Sequence, residues 1–255
     1  FHYSVIWADP GRQNIPKAWS AITDLNVLGD SLYGYTLNTL LSLNKEGLLP
    51  EMVQVGNEIN SGLLWPKGHL INNESQCLEL LSTISARIRS QSPTTKIMLH
   101  YAGIGSGATW FYNKMTSVDY DYIGLSFYPV WHGKSLPDLK STINSLGQTY
   151  NKKVVIAETA YPFTLTWNDW TNNLVGLENQ LIPAYPATPE GQKNFLLAIK
   201  SLVKETTSGI GFAYWGTEWV AFRGNESTNG SPFENQALWD FTNKAVPAMA
   251  AFKKD

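Results

Sequence analysis

Short apolar runs alternate with segments of helical periodicity along this chain. Apolar runs without an alternating polar face are typical of strands buried on both sides of a parallel sheet. Five such runs are present, and the N-terminus reads as the end of a further strand. The predicted strands are Phe1–Tyr3, Met52–Val55, Ile97–His100, Tyr122–Phe127, Val154–Ala157 and Ile210–Tyr214.

Between these runs, apolar residues recur at the three- and four-residue spacing of amphipathic helices. Thr188-Pro189 is a helix start signal, because Thr is a good N-cap residue and Pro suits the first helical position. The predicted helices carry the stripes Leu32, Tyr35, Leu40, Leu41 and Leu43 before a stop at Gly47; Leu78, Leu81, Ile84 and Ile88; Leu139, Ile143 and Leu146, between Ser135 and Gly147; and Phe195, Leu196, Ile199 and Leu202; a final helix is predicted over Lys244–Phe252.

The alternation of strands and helices predicts an α/β fold with a parallel sheet and right-handed crossovers. Gly103–Gly107 lacks the spacing of a dinucleotide-binding loop and is expected to be a flexible turn. The unusual residues lie instead at the carboxyl ends of strands, where a (β/α)8 barrel builds its active site. We therefore expect a (β/α)8 TIM barrel in a single domain, residues 1–255. Five whole strands and one partial strand are fewer than eight, so this domain is expected to be N-terminally incomplete.

Composition narrows the class of partner. The net charge of -2 gives no basic surface for nucleic acid, and no apolar run is long enough to span a membrane. A single cysteine, Cys77, excludes an intrachain disulfide. Aromatic residues make up 13% of the chain, with 10 Trp and 12 Tyr. They indicate either a Trp-rich core or surfaces that stack on sugar rings.

Two apolar strands end in a carboxylate. Val53-Gln54-Val55-Gly56-Asn57-Glu58 and Val154-Val155-Ile156-Ala157-Glu158 each place a glutamate where a core residue or a turn glycine would be unremarkable. A buried glutamate costs free energy unless it is paired or used. Two carboxylates at strand ends of one sheet can together cleave a glycosidic bond, and they do so with retention when they lie about 5 Å apart. Asn57 is then placed to bond the sugar hydroxyl beside the reacting carbon, or to cap a turn.

Longer strings narrow this reading to a family. The chain resembles the endo-β-1,4-galactanases of glycoside hydrolase family 53 from Phe1 to Phe252, and five strings in order carry the resemblance. They are His2-Tyr3-Ser4 through Trp7-Ala8-Asp9-Pro10-Gly11, Gly56-Asn57-Glu58-Ile59, Gly62-Leu63-Leu64-Trp65-Pro66, Ser126-Phe127-Tyr128-Pro129 and Ala157-Glu158-Thr159-Ala160-Tyr161-Pro162.

The resemblance implies a (β/α)8 barrel with Glu58 as acid/base and Glu158 as nucleophile. It also implies that the chain as given lacks the first two βα units and most of strand three, together with an active-site Arg for which the chain offers no substitute. Its implied substrate is β-1,4-galactan or a galacto-oligosaccharide. A monomer that acts outside the cell, at the cell surface or in the periplasm is expected.

Aromatic and polar residues on the same rim are the expected substrate contacts. Trp215 would stack against the sugar next to the cleaved bond. Asp9 precedes Pro10 and also suits a plain turn, and Glu218 is a rival carboxylate that suits a loop ion pair. The expected substrate-binding residues are Asn57, His2, Trp7, Asp9, Trp65, His100, Tyr128, Trp131 and Trp215.

No cofactor is expected to be required. Some bacterial relatives bind calcium in the loop after strand seven, and Asp169 and Asn173 are retained in the corresponding stretch. Trp167 stands where an Asp would be expected. Calcium takes six to eight oxygen ligands, so two candidates do not make a site.

Two alternatives to the galactanase reading stay open at this level. The same catalytic pair could act on another β-linked polysaccharide, such as a mannan or a glucan, because catalytic residues do not fix the sugar. The chain could also be a carbohydrate-binding barrel without turnover, since the active-site Arg has no counterpart.

Overall fold

The computed structural model describes residues 2–3 and 9–253. The chain forms two compact units, one of residues 1–125 and 146–154, the other of residues 126–145 and 155–255. None of the described helices combines the length and the apolar character that crossing a bilayer requires.

Every strand predicted from an apolar run is present. Met52–Val55 has the predicted bounds, and the four strands that follow it differ from the prediction by one or two residues at one end or at both. Among the described residues the strands are β1 (His2–Tyr3), β2 (Met52–Val55), β3 (Lys96–Ala102), β4 (Tyr122–Ser126), β5 (Lys153–Thr159) and β6 (Gly209–Tyr214).

The strands of each unit follow chain order. In the first unit β1, β2, β3 and β4 are successive neighbours. β1 pairs with β2 in parallel, with His2 opposite Gln54, and β2 pairs with β3 in parallel, with Val53 opposite Ile97. In the second unit β5 and β6 are neighbours. The parallel pairing agrees with the crossover pattern expected from the sequence.

Helices occupy the connections. Thr188 caps the helix that was predicted to begin at Pro189, since its side chain accepts a hydrogen bond from the Gly191 amide. Four of the helices correspond to the predicted stripes. In the described part of the chain the α-helices are α1 (Leu25–Lys45), α2 (Glu74–Gln91), α3 (Ser106–Lys114), α4 (Pro129–His132), α5 (Leu136–Tyr150) and α6 (Pro189–Glu205).

The buried face of α1 is narrower than the sequence suggested. Leu28, Leu32 and Leu40 are fully buried or nearly so, and they share a face at four-residue spacing. Tyr35 and Leu41, which the predicted stripe included, are 38% and 47% exposed. The helix contacts α2 along that face, so only one row of side chains is covered.

Two local predictions were wrong. Residues Lys244–Phe252 do not form one helix, because the Val246 amide donates to the Leu238 carbonyl and Trp239 bridges to Ala245. That pairing holds Val246 extended, and only a 3₁₀ helix follows, over Pro247–Phe252. The segment Gly103–Gly107 is not only a turn, since α3 begins inside it at Ser106.

Candidate active site

Glu58 lies three residues beyond the end of β2, on a turn with an unusual backbone. Gly56 has φ 71°, and a Cβ at that position would meet Cγ2 of Ile59 at 2.5 Å. Glu58 itself has φ 49°, in the left-handed region that residues other than glycine seldom adopt. Its side chain is only 9% exposed. A strained backbone that carries a buried carboxylate is characteristic of functional sites.

Hydrogen bonds from a distant residue hold this turn. Gln13 is 3% exposed, and its Nε2 atom donates to the Asn57 carbonyl at 2.7 Å and to the Asp9 carbonyl at 2.8 Å. The Ile59 amide donates to the His100 carbonyl at 2.9 Å, which ties the turn to β3. Gln13 was not predicted, because a single glutamine in an irregular segment gives no sequence signal.

His100 is fully buried beside Glu58. Its Nδ1 atom accepts a hydrogen bond from the Glu58 amide at 3.3 Å and lies 3.1 Å from Nε2 of Gln54. Because a backbone amide can only donate, Nδ1 is unprotonated and the ring proton of the neutral imidazole is on Nε2. A ring nitrogen of His100 and a carboxylate oxygen of Glu58 lie within 4.8 Å of each other.

Asn57 is half-buried next to Glu58, and its orientation is set by Gln54. Nε2 of Gln54 donates to Oδ1 of Asn57 at 3.3 Å and to the Gly56 carbonyl at 3.0 Å. The contact therefore fixes which end of the Asn57 amide is the acceptor. The sequence predicted Asn57 as a sugar ligand but not Gln54 as its support.

Glu158 is half-buried at the end of β5 and contacts a phenol. Oη of Tyr128 donates to Oε2 of Glu158 at 2.8 Å. The Glu158 carbonyl accepts from the Phe127 amide at 2.8 Å, and Oγ1 of the buried Thr159 donates to the Phe127 carbonyl at 2.7 Å. A phenol that donates to a carboxylate stabilises its negative charge and fixes its orientation.

Tyr128 is in turn held by His132, whose role the sequence did not reveal. Nδ1 of His132 accepts from the Tyr128 amide at 3.0 Å. Burial lowers the pKa of His132 to about 4, although a hydrogen bond to the Ser126 backbone opposes the shift. The imidazole is therefore neutral at neutral pH, as its acceptor role requires. Trp131, on the same turn, is 53% exposed and meets the Tyr128 ring edge-on at 5.2 Å.

Two predicted contacts of the first unit have clear local roles. Nε1 of Trp65 donates to the Ser61 carbonyl at 2.9 Å, and its half-buried ring lies 4.8 Å from the ring of His69. Asp9 accepts from the Gly11 amide at 2.8 Å, so its carboxylate closes its own turn, the alternative that the sequence had left open. His2 is in β1, and Trp7 is outside the described residues.

Trp215 directly follows β6 and is packed into an aromatic cluster. Its ring centroid lies 5.0 Å from that of Trp219 and 4.6 Å from that of Phe233. The Trp215 amide donates to the Thr159 carbonyl at 3.0 Å. The ring is half-buried, so its neighbours fix its position while part of it faces solvent.

In the suggested calcium loop both oxygens of Asp169 already accept amide hydrogen bonds, and the buried, unpartnered Oδ1 of Asn173 falls far short of the six to eight oxygens that calcium takes. Asp169 is 1% exposed; Oδ1 accepts from the Thr171 amide at 2.6 Å and Oδ2 from the Ser231 amide at 3.1 Å. Nδ2 of Asn173 donates to the Thr166 carbonyl at 3.0 Å. Carboxylate oxygens that face amide hydrogens do not fit a cation, so we derive no role for calcium.

Comparison with known proteins gives a consistent picture along the whole chain. The sequence model of Glycosyl hydrolase family 53 matches residues 1–252. A protein of Cellvibrio japonicus named arabinogalactan endo-β-1,4-galactanase is 42% identical over 267 residues, an alignment that covers 100% of this chain and 70% of the relative.

Solved structures agree with the sequence matches. The GH53 catalytic domain of Ignisphaera aggregans superposes with a TM-score of 0.91 at 36% identity, over 99% of this chain and 72% of that one. A structure of fungal β-1,4-galactanases gives a TM-score of 0.81 at 29% identity, over 100% of this chain and 76% of that one. These matches confirm the predicted fold class, an α/β fold of the (β/α)8 barrel type.

Proposed function

This chain belongs to glycosyl hydrolase family 53, and from that premise we propose that it hydrolyses internal β-1,4-galactosidic bonds with retention of configuration. The substrate is β-1,4-galactan, including the galactan of type I arabinogalactan. The match to the family along residues 1–252 carries the proposal. The carboxylates of Glu58, just beyond the end of β2, and of Glu158, at the end of β5, support it.

The proposed reaction has two displacements. In the first, the Glu158 carboxylate attacks the anomeric carbon and forms a galactosyl ester, while Glu58 gives its proton to the departing glycosidic oxygen. In the second, the Glu58 carboxylate takes a proton from water, the water oxygen attacks the anomeric carbon, and Glu158 leaves as a carboxylate. The hydrogen bond from Tyr128 supports the role of Glu158, because it stabilises the carboxylate charge and fixes the orientation of the group that attacks.

The neighbours of the two glutamates have proposed roles in binding. Asn57, oriented by Gln54, donates to the hydroxyl beside the reacting carbon, a contact that strengthens in the transition state. His100 is fully buried and accepts from the Glu58 amide through Nδ1, so its proposed role is to hold Glu58 in position beside the bound sugar. Trp215 supports the sugar at the cleaved bond through its ring face.

The partner that we propose is a neutral polymer. Trp131 is 53% exposed and offers an aromatic surface next to Tyr128, which suits a flanking sugar. Because such a polymer is too large to enter a cell intact, we propose action outside the cell, at the cell surface or in the periplasm.

The first test concerns the nucleophile. Glu158→Ala is expected to abolish the release of reducing ends from soluble galactan while binding of the polymer is retained. The first product of the wild-type enzyme, followed by NMR, is expected to be the β-anomer. A first product with the α-configuration would overturn the retaining mechanism.

The second test concerns the acid/base. Glu58→Ala is expected to slow galactan hydrolysis by about a thousandfold or more but to slow an aryl galacto-oligosaccharide with an acidic phenol much less, because that leaving group needs no proton. Glu218→Gln is the matched control: Glu218 is exposed and accepts from Oγ1 of Thr217, so activity is expected to be unchanged. Equal losses on both substrates would remove Glu58 from the acid role.

The sugar is tested with a panel of polymers. Galactan is expected to be cleaved, with mannan and β-glucan resistant under the same conditions. Faster turnover of mannan or glucan would assign the same catalytic pair to another substrate.

A further inference from the structure

Two tryptophans are exposed on one loop of the second unit. The loop consists of residues 164–173, between β5 and α6, and is called the tryptophan loop below. Trp167 is 53% exposed and Trp170 is 61% exposed. An indole in water forgoes a large burial free energy, so two exposed indoles three residues apart indicate a surface with a ligand.

Of the two residues between these tryptophans, Asp169 is buried and anchors the loop. Asp169 is 1% exposed, and its two carboxylate oxygens accept from the Thr171 amide at 2.6 Å and from the Ser231 amide at 3.1 Å. The second contact joins the tryptophan loop to a loop some sixty residues further along. The exposure of the indoles therefore does not come from a loosely held segment.

A second buried carboxylate holds the same backbone. Glu234 is 1% exposed, and Oε1 accepts from the Asn168 amide at 2.6 Å and from the Asp169 amide at 3.1 Å. Oγ1 of Thr171 donates to the Ser227 carbonyl at 3.1 Å. Gly230 is packed so closely that a Cβ there would collide with Oδ2 of Asp169. Burying two carboxylates costs free energy. The amides that they accept from include those of Asn168, Asp169 and Thr171, so they fix the backbone on which the two indoles are carried.

The chemistry of the loop selects a neutral ligand. Its sequence, Thr-Leu-Thr-Trp-Asn-Asp-Trp-Thr-Asn-Asn, contains no Lys or Arg, and the buried Asp169 is its one ionisable side chain. Thr166 and Asn172 of the same loop are also exposed and supply hydroxyl and amide groups. Flat apolar rings flanked by uncharged hydrogen-bonding groups suit a sugar chain, whose faces are apolar and whose edges carry hydroxyls.

We propose that the tryptophan loop is a binding surface for the polysaccharide, and that Trp167 and Trp170 stack on galactosyl units which are not being cleaved. The proposal rests on the proposed function for the identity of the sugar. It assigns the loop a role in affinity for long chains and none in bond cleavage.

The test compares long and short substrates. Trp167→Ala/Trp170→Ala is expected to lower kcat/KM on high-molecular-weight galactan by about tenfold, the equivalent of one or two stacking contacts. kcat/KM on a short oligosaccharide is expected to stay within about twofold, because remote contacts add binding energy only for a ligand that reaches them. Trp110→Ala is the matched control: Trp110 is 42% exposed on α3, and its removal is expected to change neither value.

A second variant separates the anchoring from the indoles. Gly230→Ala keeps both tryptophans but forces the two loops apart, and it is expected to weaken galactan binding in affinity electrophoresis with short-substrate kcat unchanged. Wild-type mobility in galactan gels for the double tryptophan variant would overturn the proposal. The proposal would also be overturned if light scattering showed a dimer for the wild-type protein and a monomer for the double tryptophan variant. The loop would then be an interface between two copies of this chain. If galactan retards the wild-type protein without being cleaved, the proposed function fails. Loss of that retardation in the double tryptophan variant would still support the tryptophan loop as the binding surface.

Discussion

Tyr128 is the residue whose contact most directly affects the proposed chemistry. Its Oη atom donates to Oε2 of Glu158 at 2.8 Å, and its ring is only 5% exposed. Tyr128→Phe is expected to reduce kcat on galactan by about 10- to 100-fold, because a hydrogen bond to a charged group contributes about 1.5–3 kcal/mol. KM is expected to change little.

Steady-state kinetics on galactan check this prediction. Tyr150→Phe is a suitable control, since Oη of Tyr150 contacts Oδ1 of Asn113 and no candidate site residue. A Tyr128→Phe variant with wild-type kcat would show that Glu158 does not depend on the phenol.

His132 links the pH dependence of stability to the same turn. Its pKa is lowered from 6.5 to about 4, so between these values the unfolded chain takes up a proton that the folded chain does not. The free energy of unfolding is therefore expected to fall as the pH drops from about 6.5 to 4, by at most about 3 kcal/mol from this group. His132→Asn removes the titration and is expected to flatten this part of the profile.

Urea unfolding at several pH values, with wild type and variant compared at each, measures the difference. Other groups titrate in both proteins and cancel in that comparison. If the free energy of unfolding varied with pH in the same way in the two proteins, the pKa of His132 would be the same in the folded and the unfolded chain.

At the scale of elements, Glu234 decides how the tryptophan loop is held. Burial raises the pKa of Glu234, and the nearby Asp169 adds to the rise. Stability from this group is therefore greatest at low pH and falls as the pH rises through the folded pKa. Its Oε2 atom is buried without a hydrogen-bond partner, so ionisation of Glu234 destabilises the fold. The two hydrogen bonds that Oε1 accepts stabilise it.

Glu234→Gln is therefore expected to keep or raise the melting temperature at pH 7. Glu234→Ala is expected to lower stability by about 1–3 kcal/mol, because the amides of Asn168 and Asp169 lose their buried acceptor. Thermal unfolding distinguishes the two variants, with the exposed Glu226→Gln as control. A large loss in Glu234→Gln would instead indicate that the charge itself stabilises the loop.

At the scale of the whole molecule, charge is a minor factor in substrate capture. The net charge is -2 and the proposed substrate is neutral, so electrostatic steering is not expected to increase the rate of association. kcat/KM on galactan is expected to vary by less than about twofold between 50 and 500 mM NaCl. A steep salt dependence, measured at constant pH, would point to a charged ligand.

The sequence by itself determined the strands, most helices and the family. Met52–Val55 has the predicted bounds, and Thr188 caps α6 as predicted, because apolar runs and caps are local signals that neighbouring residues complete. The same locality explains why the two glutamates stand out in the sequence: Glu58 follows one strand that the pattern defines, and Glu158 lies at the end of another. The final helix over Lys244–Phe252 was wrong because a distant partner, the Leu238 carbonyl, competes for the Val246 amide.

Only the tertiary structure decided what supports the candidate site. Gln13 bonds a carbonyl 44 residues away, and Asp169 bonds an amide 62 residues away, contacts that no pattern of spacing encodes. Exposure was equally hidden: Trp65 and Trp170 are alike in the sequence, but one is half-buried and the other is 61% exposed. The physical reason is the same in each case. Periodicity reports which residues must leave water, whereas hydrogen-bond partners and exposed faces depend on which segments meet.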